Sequence, residues 1–214
     1  MRRLHRGTGV LPVVHGLKML PGGREMVPEA LRHYLETPVA VADWYPEADY
    51  ETLIQILASL IPPRSVGGDV WAYFGRTAAQ RDLAGLQEAL APAARMQSVG
   101  AYRRLAEGAR GVLGLALRTM KLWGLYHDAG ELVAFRKEDA PGILVVQIRR
   151  FSFPCDGLVD LQLAYMAEFG RLVGVRMEGR VTQSTVRGDP VCEYEFRVEP
   201  TPENLASLAK LPAV

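Results

Sequence analysis

Past Gly130 the spacing of apolar residues changes from three and four to two, returns to helical spacing for one segment, and becomes two again. That order restricts the chain to a mixed fold in which paired strands flank a helix. Glu131 to Arg136 and Gly142 to Phe151 are rich in Val, Ile, Leu and Phe and are joined across Glu138-Asp139-Ala140-Pro141, the pattern of a hairpin. Asp156 then opens a helix carrying Leu158, Leu161, Tyr165, Phe169 and Leu172, closed by Gly174. Val175, Met177 and Val181 alternate with Arg176, Glu178, Arg180 and Thr182. After the turn Arg187-Gly188-Asp189-Pro190, Cys192, Tyr194, Phe196 and Val198 alternate with Glu193, Glu195 and Arg197. Successive strand side chains point to opposite faces, so this second hairpin has one apolar face to bury.

The preceding half reads as helical. Pro28, Leu31, Tyr34 and Leu35 mark a short helix that stops at Thr37-Pro38. Asp49 is placed to cap a helix whose stripe is Tyr50, Leu53, Ile54, Leu57, Leu60 and Ile61, ended by Pro62-Pro63. Asp69 to Arg81 and Asp82 to Ala91 read as two further pieces, with Gly75 weakening the first. Ala101 to Tyr126 is the longest stretch, with Tyr102, Leu105, Ala109, Val112, Leu113, Ala116, Met120 and Trp123 on one side and Gly108, Gly111 and Gly114 spaced by three.

In front of these, Gly7, Gly9, Pro12, Gly16, Pro21, Gly22 and Gly23 predict an extended, turn-rich lead-in with at most one short strand near Val10–Val14. Thr201 to Leu211 reads as a terminal helix. The expected architecture is α+β, a helical N-terminal half packed on a four-stranded antiparallel sheet built as hairpin–helix–hairpin. Its parts are a lead-in over 1–24, a single domain over 25–200 (helical 25–128, hairpin–helix–hairpin 130–199) and a tail helix over 201–214.

Composition removes several function classes. Lys and Arg total 25 against 24 Asp and Glu, a net charge of +1, so no global field draws in nucleic acid or an anionic membrane surface. Two cysteines cannot make a disulfide scaffold and read as reduced thiols. The apolar run Val10 to Val14 is too short for a signal peptide, and nothing reaches the roughly 18 residues of a membrane span. A cytoplasmic chain without a membrane span is expected.

Phosphate-loop, dinucleotide-binding, zincin and nucleophile-elbow motifs are all missing. His5, His15, His33 and His127 lie far apart and neither cysteine has a CxxC partner, so only the fold could assemble a metal site; no metal or cofactor is expected. Cys155 follows Pro154 at the mouth of a helix, where the helix dipole can activate a thiol with His127 as base. No third orienting residue is identifiable, and a free cysteine packs readily as a small hydrophobe. Cys192 shares its strand face with Tyr194, Phe196 and Val198 and reads as core. Met120 and Trp123 on one helix, and Tyr165 and Phe169 on a later one, either line an apolar cavity or fill the core; these four are the candidate ligand-binding residues.

The stretch from Cys155 through Gly170 and Gly174, and above all Arg187-Gly188-Asp189-Pro190-Val191-Cys192-Glu193-Tyr194-Glu195-Phe196, resembles the ending of 4-vinyl-reductase-type domains. That superfamily includes the haem nitric-oxide/oxygen-binding domains and the transport-protein-particle (TRAPP) components. Trp44-Tyr45-Pro46, the helix from Asp49, Gly75-Arg76 and the run from Trp123 to Gly130 further resemble a myxobacterial family of unknown function within the group.

The likeness implies helices on a small antiparallel sheet, frequently a dimer, often with an apolar pocket, in sensors, adaptors or small-molecule binders. Zinc-bearing relatives use four ligands. Here Cys155 and Cys192 match the outer positions, but Ser184 stands at the inner cysteine and Val181 near the acid, so zinc is not carried over. Haem-binding relatives carry a proximal histidine and a Tyr-x-Ser-x-Arg motif; the motif is absent and haem is not carried over either. The resulting expectation is a non-enzymatic sensor or adaptor module binding a small apolar or aromatic ligand, homodimeric or with a protein partner. A TRAPP-like interaction scaffold is the alternative, and a tetrapyrrole-linked reductase the third.

Overall fold

The computed structural model describes residues 3–90 and 111–214. The expectations on Tyr102, Leu105, Gly108 and Ala109 lie outside the described residues. Two compact units are present, Met1–Val70 with Trp123–Gly130, and Trp71–Leu122 with Glu131–Val214.

The first unit opens with strand β1 (Leu4–Arg6) and helix α1 (Gly7–Met19). The extended lead-in expected over 1–24 is therefore corrected to a helix. Val10, Val13, Val14 and Leu17 are buried at helical spacing, and the glycines serve contact: a Cβ on Gly16 would lie 2.9 Å from Leu57 Cδ1. Pro12 costs one intrahelical hydrogen bond, which burial of this stripe offsets. Short helices α2 (Gly23–Met26) and α3 (His33–Glu36) follow, the latter in place of the longer helix read from Pro28. Strand β2 (Trp44–Pro46) pairs antiparallel with β1, and α4 (Glu47–Leu60) buries Leu53, Ile54 and Leu57. It starts two residues before the expected cap, since the Asp49 carboxylate instead accepts from the Tyr34 hydroxyl at 2.8 Å.

In the second unit α5 (Val70–Leu90) is one helix where two were expected. Gly75 does not break it; the bare Cα lets the Leu161 carbonyl approach so closely that a Cβ would stand 2.2 Å from that oxygen. Helix α6 (Gly111–Tyr126) runs to Leu122 in this unit, its last turn from Trp123 belonging to the first. The sheet follows the expected order of elements: β3 (Glu131–Arg136), β4 (Ile143–Arg149), α7 (Asp156–Leu172), β5 (Met177–Gln183) and β6 (Cys192–Val198), with strand order β3-β4-β6-β5, all antiparallel.

Pairs Leu144–Phe196, Val146–Tyr194 and Ile148–Cys192 form the apolar face. On the other, Glu195 takes Lys137 and Arg180, and Glu193 takes Gln147 and Thr182. Gly174, at φ +86°, ends α7 in the left-handed conformation that glycine adopts without a Cβ penalty. Helix α8 (Pro202–Leu208) is capped by the Thr201 hydroxyl, which accepts from Asn204 N at 3.1 Å. Among the described residues no helix is long and apolar enough to cross a membrane.

Candidate functional site

The chemistry-bearing cluster of the first unit is assembled by backbone bonds. Glu47 N donates to Arg3 O at 2.9 Å, Leu4 N donates to Asp128 Oδ1 at 2.6 Å, and Asp128 N donates to Leu4 O at 3.3 Å. These ties bring β1, the first turn of α4 and the end of α6 together, and His5 and His127 face each other across an isolated antiparallel bridge. Three side chains then converge. His5 Nδ1 lies 3.3 Å from Glu47 Oε1, and His127 Nδ1 lies 3.1 Å from Glu47 Oε2. One donor atom from each residue falls within 4.8 Å of the other two.

His5 and Glu47 are 4% and 3% exposed, and His127 sits half-buried beside them. Rings fix the imidazoles. Tyr50 stacks on His5 at 3.8 Å and 5°, Trp123 stacks on His127 at 4.0 Å and 19°, and the two imidazoles meet edge to face at 4.7 Å. On its far side the His5 ring abuts α1, where a Cβ on Gly9 would lie 2.2 Å from Nε2.

Burial by itself would raise the pKa of Glu47, but the hydrogen bond with His127, the close approach of His5 and the charges of the two rings outweigh it and lower it to about 2. One turn along, Glu51 meets Arg3 at 3.3 Å; burial and the Glu47 charge overcome that guanidinium and raise Glu51 to about 7. The arrangement is thus a buried carboxylate, ionised above acid pH, with an imidazole on each oxygen. Among the described residues this is the metal-competent grouping of three such side chains, and neither Cys155 nor Cys192 belongs to it.

The residues singled out from sequence fall elsewhere. Trp123 belongs to the first unit, where it stacks on His127 and donates Nε1–H to Ala129 O at 3.2 Å. Tyr165 and Phe169 belong to the second, stacked at 5.9 Å and buried, with the Tyr165 hydroxyl donating to Asp82 at 2.9 Å. Met120 is half-buried on α6 in that same unit. Cys155 is the N-cap of α7, and Cys192 is buried with its sulfur accepting from Thr185 N at 3.3 Å. The second unit also holds an open cleft of about 730 Å³ lined by four arginines and three glutamates, Arg76 and Glu168 among them, together with apolar surface from Met177, Val198 and Pro200.

Sequence reading missed His5 and Glu47 because 42 residues separate them and 80 more lead from Glu47 to His127. The sequence offers no motif that joins the three.

No protein-family model matches the chain, and no curated protein matches it. Solved structures do, H-NOX domains among them. A mutant of the T. tengcongensis H-NOX superposes with a TM-score of 0.55 at 12% identity, over 92% of this chain and 99% of that one. A structure from work on haem distortion in the H-NOX family gives 0.54 at 12%, over 91% and 95%. An oxygen-binding H-NOX domain related to soluble guanylate cyclases gives 0.52 at 12%, over 93% and 96%. The fold is therefore of the H-NOX kind, the haem-NO-binding branch of the resemblance drawn from sequence.

The residues present do not fit the haem of such domains. An axial imidazole points a nitrogen into a slot wide enough for a porphyrin. His15 and His33 are exposed, and His33 Nδ1 is engaged by Ala30 O at 3.0 Å. His5 and His127 turn Nδ1 to one carboxylate, with ring faces covered by Tyr50 and Trp123. That surround fits a proton or a bare ion, not a macrocycle.

Proposed function

We propose that this chain is a non-enzymatic sensor or adaptor domain that binds a small ligand without haem, the finer parts of the reading being a small apolar or aromatic ligand and a dimeric assembly. The observation that supports it is the match to H-NOX domains over more than nine-tenths of both chains. Within the second unit Met120, Tyr165 and Phe169 are the apolar candidates for ligand contact.

The test is thermal unfolding of the purified chain against a panel of phenols, lipids and haemin, with mass spectrometry of extracted small molecules. A ligand at about 100 times its Kd adds about 2.7 kcal/mol, which for a chain of this size raises Tm by roughly 5–10 °C. A saturable shift from an apolar or phenolic compound is expected, and haemin is expected to give no stoichiometric histidine-ligated complex. No shift across the panel and no extracted ligand would remove the sensor reading.

A further inference from the structure

We propose that His5, Glu47 and His127 form a binding site for one divalent transition-metal ion of the zinc type. Two imidazole nitrogens and one carboxylate are the donor set that such ions take, and three protein ligands leave a coordination position for water or a small donor molecule. For an ion bound at about 2.0–2.1 Å in tetrahedral geometry, neighbouring donor atoms stand about 3.3 Å apart. Here His5 Nδ1 stands 3.3 Å from Oε1 and His127 Nδ1 3.1 Å from Oε2, and one carboxylate oxygen and one nitrogen of each ring lie within 4.8 Å of one another.

The site is also built rather than incidental. Its ligands come from three segments tied together through the main chain, and both nitrogens that face inward are Nδ1. Stacking by Tyr50 and Trp123 holds the ring planes, and the packing of His5 Nε2 against Gly9 leaves Nδ1 as its inward donor. Orientation of this kind is what an outer shell supplies to metal-bound histidine. Binding is through the Nδ1 lone pair, so a neutral ring protonated there passes to its Nε2–H tautomer as the ion enters, with no net proton released.

The inference does not depend on the sensor reading; a chain that takes zinc and no apolar ligand keeps the metal site and loses only that reading. The test uses the full chain stripped with EDTA and titrated calorimetrically with Zn2+ alone, in two buffers of different ionisation enthalpy. One Zn2+ per chain is expected, the second buffer separating the heat of binding from any exchange of protons. H127Q, at the rim of the cluster, is expected to weaken uptake by more than the 10–100-fold typical of losing an outer-shell partner, while H15Q and H33Q leave it unchanged. Absence of saturable one-to-one uptake, or equal affinity in H127Q, overturns the proposal. If circular dichroism shows H127Q unfolded, the wild-type Co2+ spectrum decides. Intense visible bands of a low-coordinate ion support the site, and the pale spectrum of hydrated Co2+ overturns it.

Discussion

Replacing Glu47 by Gln in metal-free protein isolates the contact on which the cluster rests. The carboxylate is 3% exposed; its Oε2 is hydrogen-bonded to His127 Nδ1 at 3.1 Å, and its Oε1 lies 3.3 Å from His5 Nδ1, a contact outside hydrogen-bond geometry. An amide of the same shape keeps one acceptor and puts an N–H donor where the second was, so one imidazole Nδ1 faces another donor in a dry site. A buried group left without its partner costs about 1–3 kcal/mol, and a broken buried ion pair about 3–5. Together these set the expected loss at about 2–4 kcal/mol near pH 7, read as a lower urea midpoint with unchanged slope.

The pH dependence follows from the sign of the shift. Glu47 is lowered from 4.5 to about 2 in the folded chain, so its stabilisation is complete above pH 4.5 and is lost as the pH falls toward 2. The amide of the Glu47→Gln variant does not titrate, and the gap between the two proteins should close over that window. A variant within about 0.5 kcal/mol of the parent at pH 7, or a gap that stays constant down to pH 3, would refute the reasoning.

Three further outcomes follow from the packing and titration. Gly75→Ala sets a Cβ 2.2 Å from the Leu161 carbonyl oxygen and 2.8 Å from Tyr165 N, backbone atoms that cannot rotate aside. The overpacking should outweigh the gain in helix propensity and leave a net loss of about 1–3 kcal/mol in denaturant unfolding; a more stable variant would contradict the close approach of α5 and α7. Tyr194→Phe removes a buried hydroxyl with no hydrogen-bond partner among the described residues, so stability should stay level or rise by about 1 kcal/mol. A clear loss would mean that the hydroxyl is satisfied. Glu51, raised to about 7, binds its proton more tightly when folded, so its contribution falls as pH rises from 4.5 through 7. Glu51→Gln should therefore gain on the parent across that range, and a constant difference would rule out the raised carboxyl.

Strand β6 was legible because its alternation declares its two faces locally. Cys192, Tyr194, Phe196 and Val198 alternate with polar residues, and the same four side chains are buried on β6. Helix α7 was equally readable, its apolar stripe and Gly174 stop being short-range signals. Helix α1 was not, because the glycines that suggested a turn-rich lead-in are contact points, and Val10, Val13, Val14 and Leu17 were the opposing evidence. In α5, the Asp82 that suggested a new start is buried under the Tyr165 hydroxyl instead. The His–Glu–His cluster depends on three long-range ties that no local pattern encodes, and Trp123, a candidate ligand contact, stacks on His127 beside it.

The most direct measurement of the cluster is long-range imidazole 15N NMR on the EDTA-treated chain. A carboxylate only accepts, so both nitrogens facing Glu47 should carry protons. His5 and His127 are expected to appear as Nδ1-protonated rings whose signals move in Glu47→Gln, and to lose the Nδ1 proton when Zn2+ is added. Two Nε2-protonated rings, indifferent to Glu47→Gln and to Zn2+, would contradict the account.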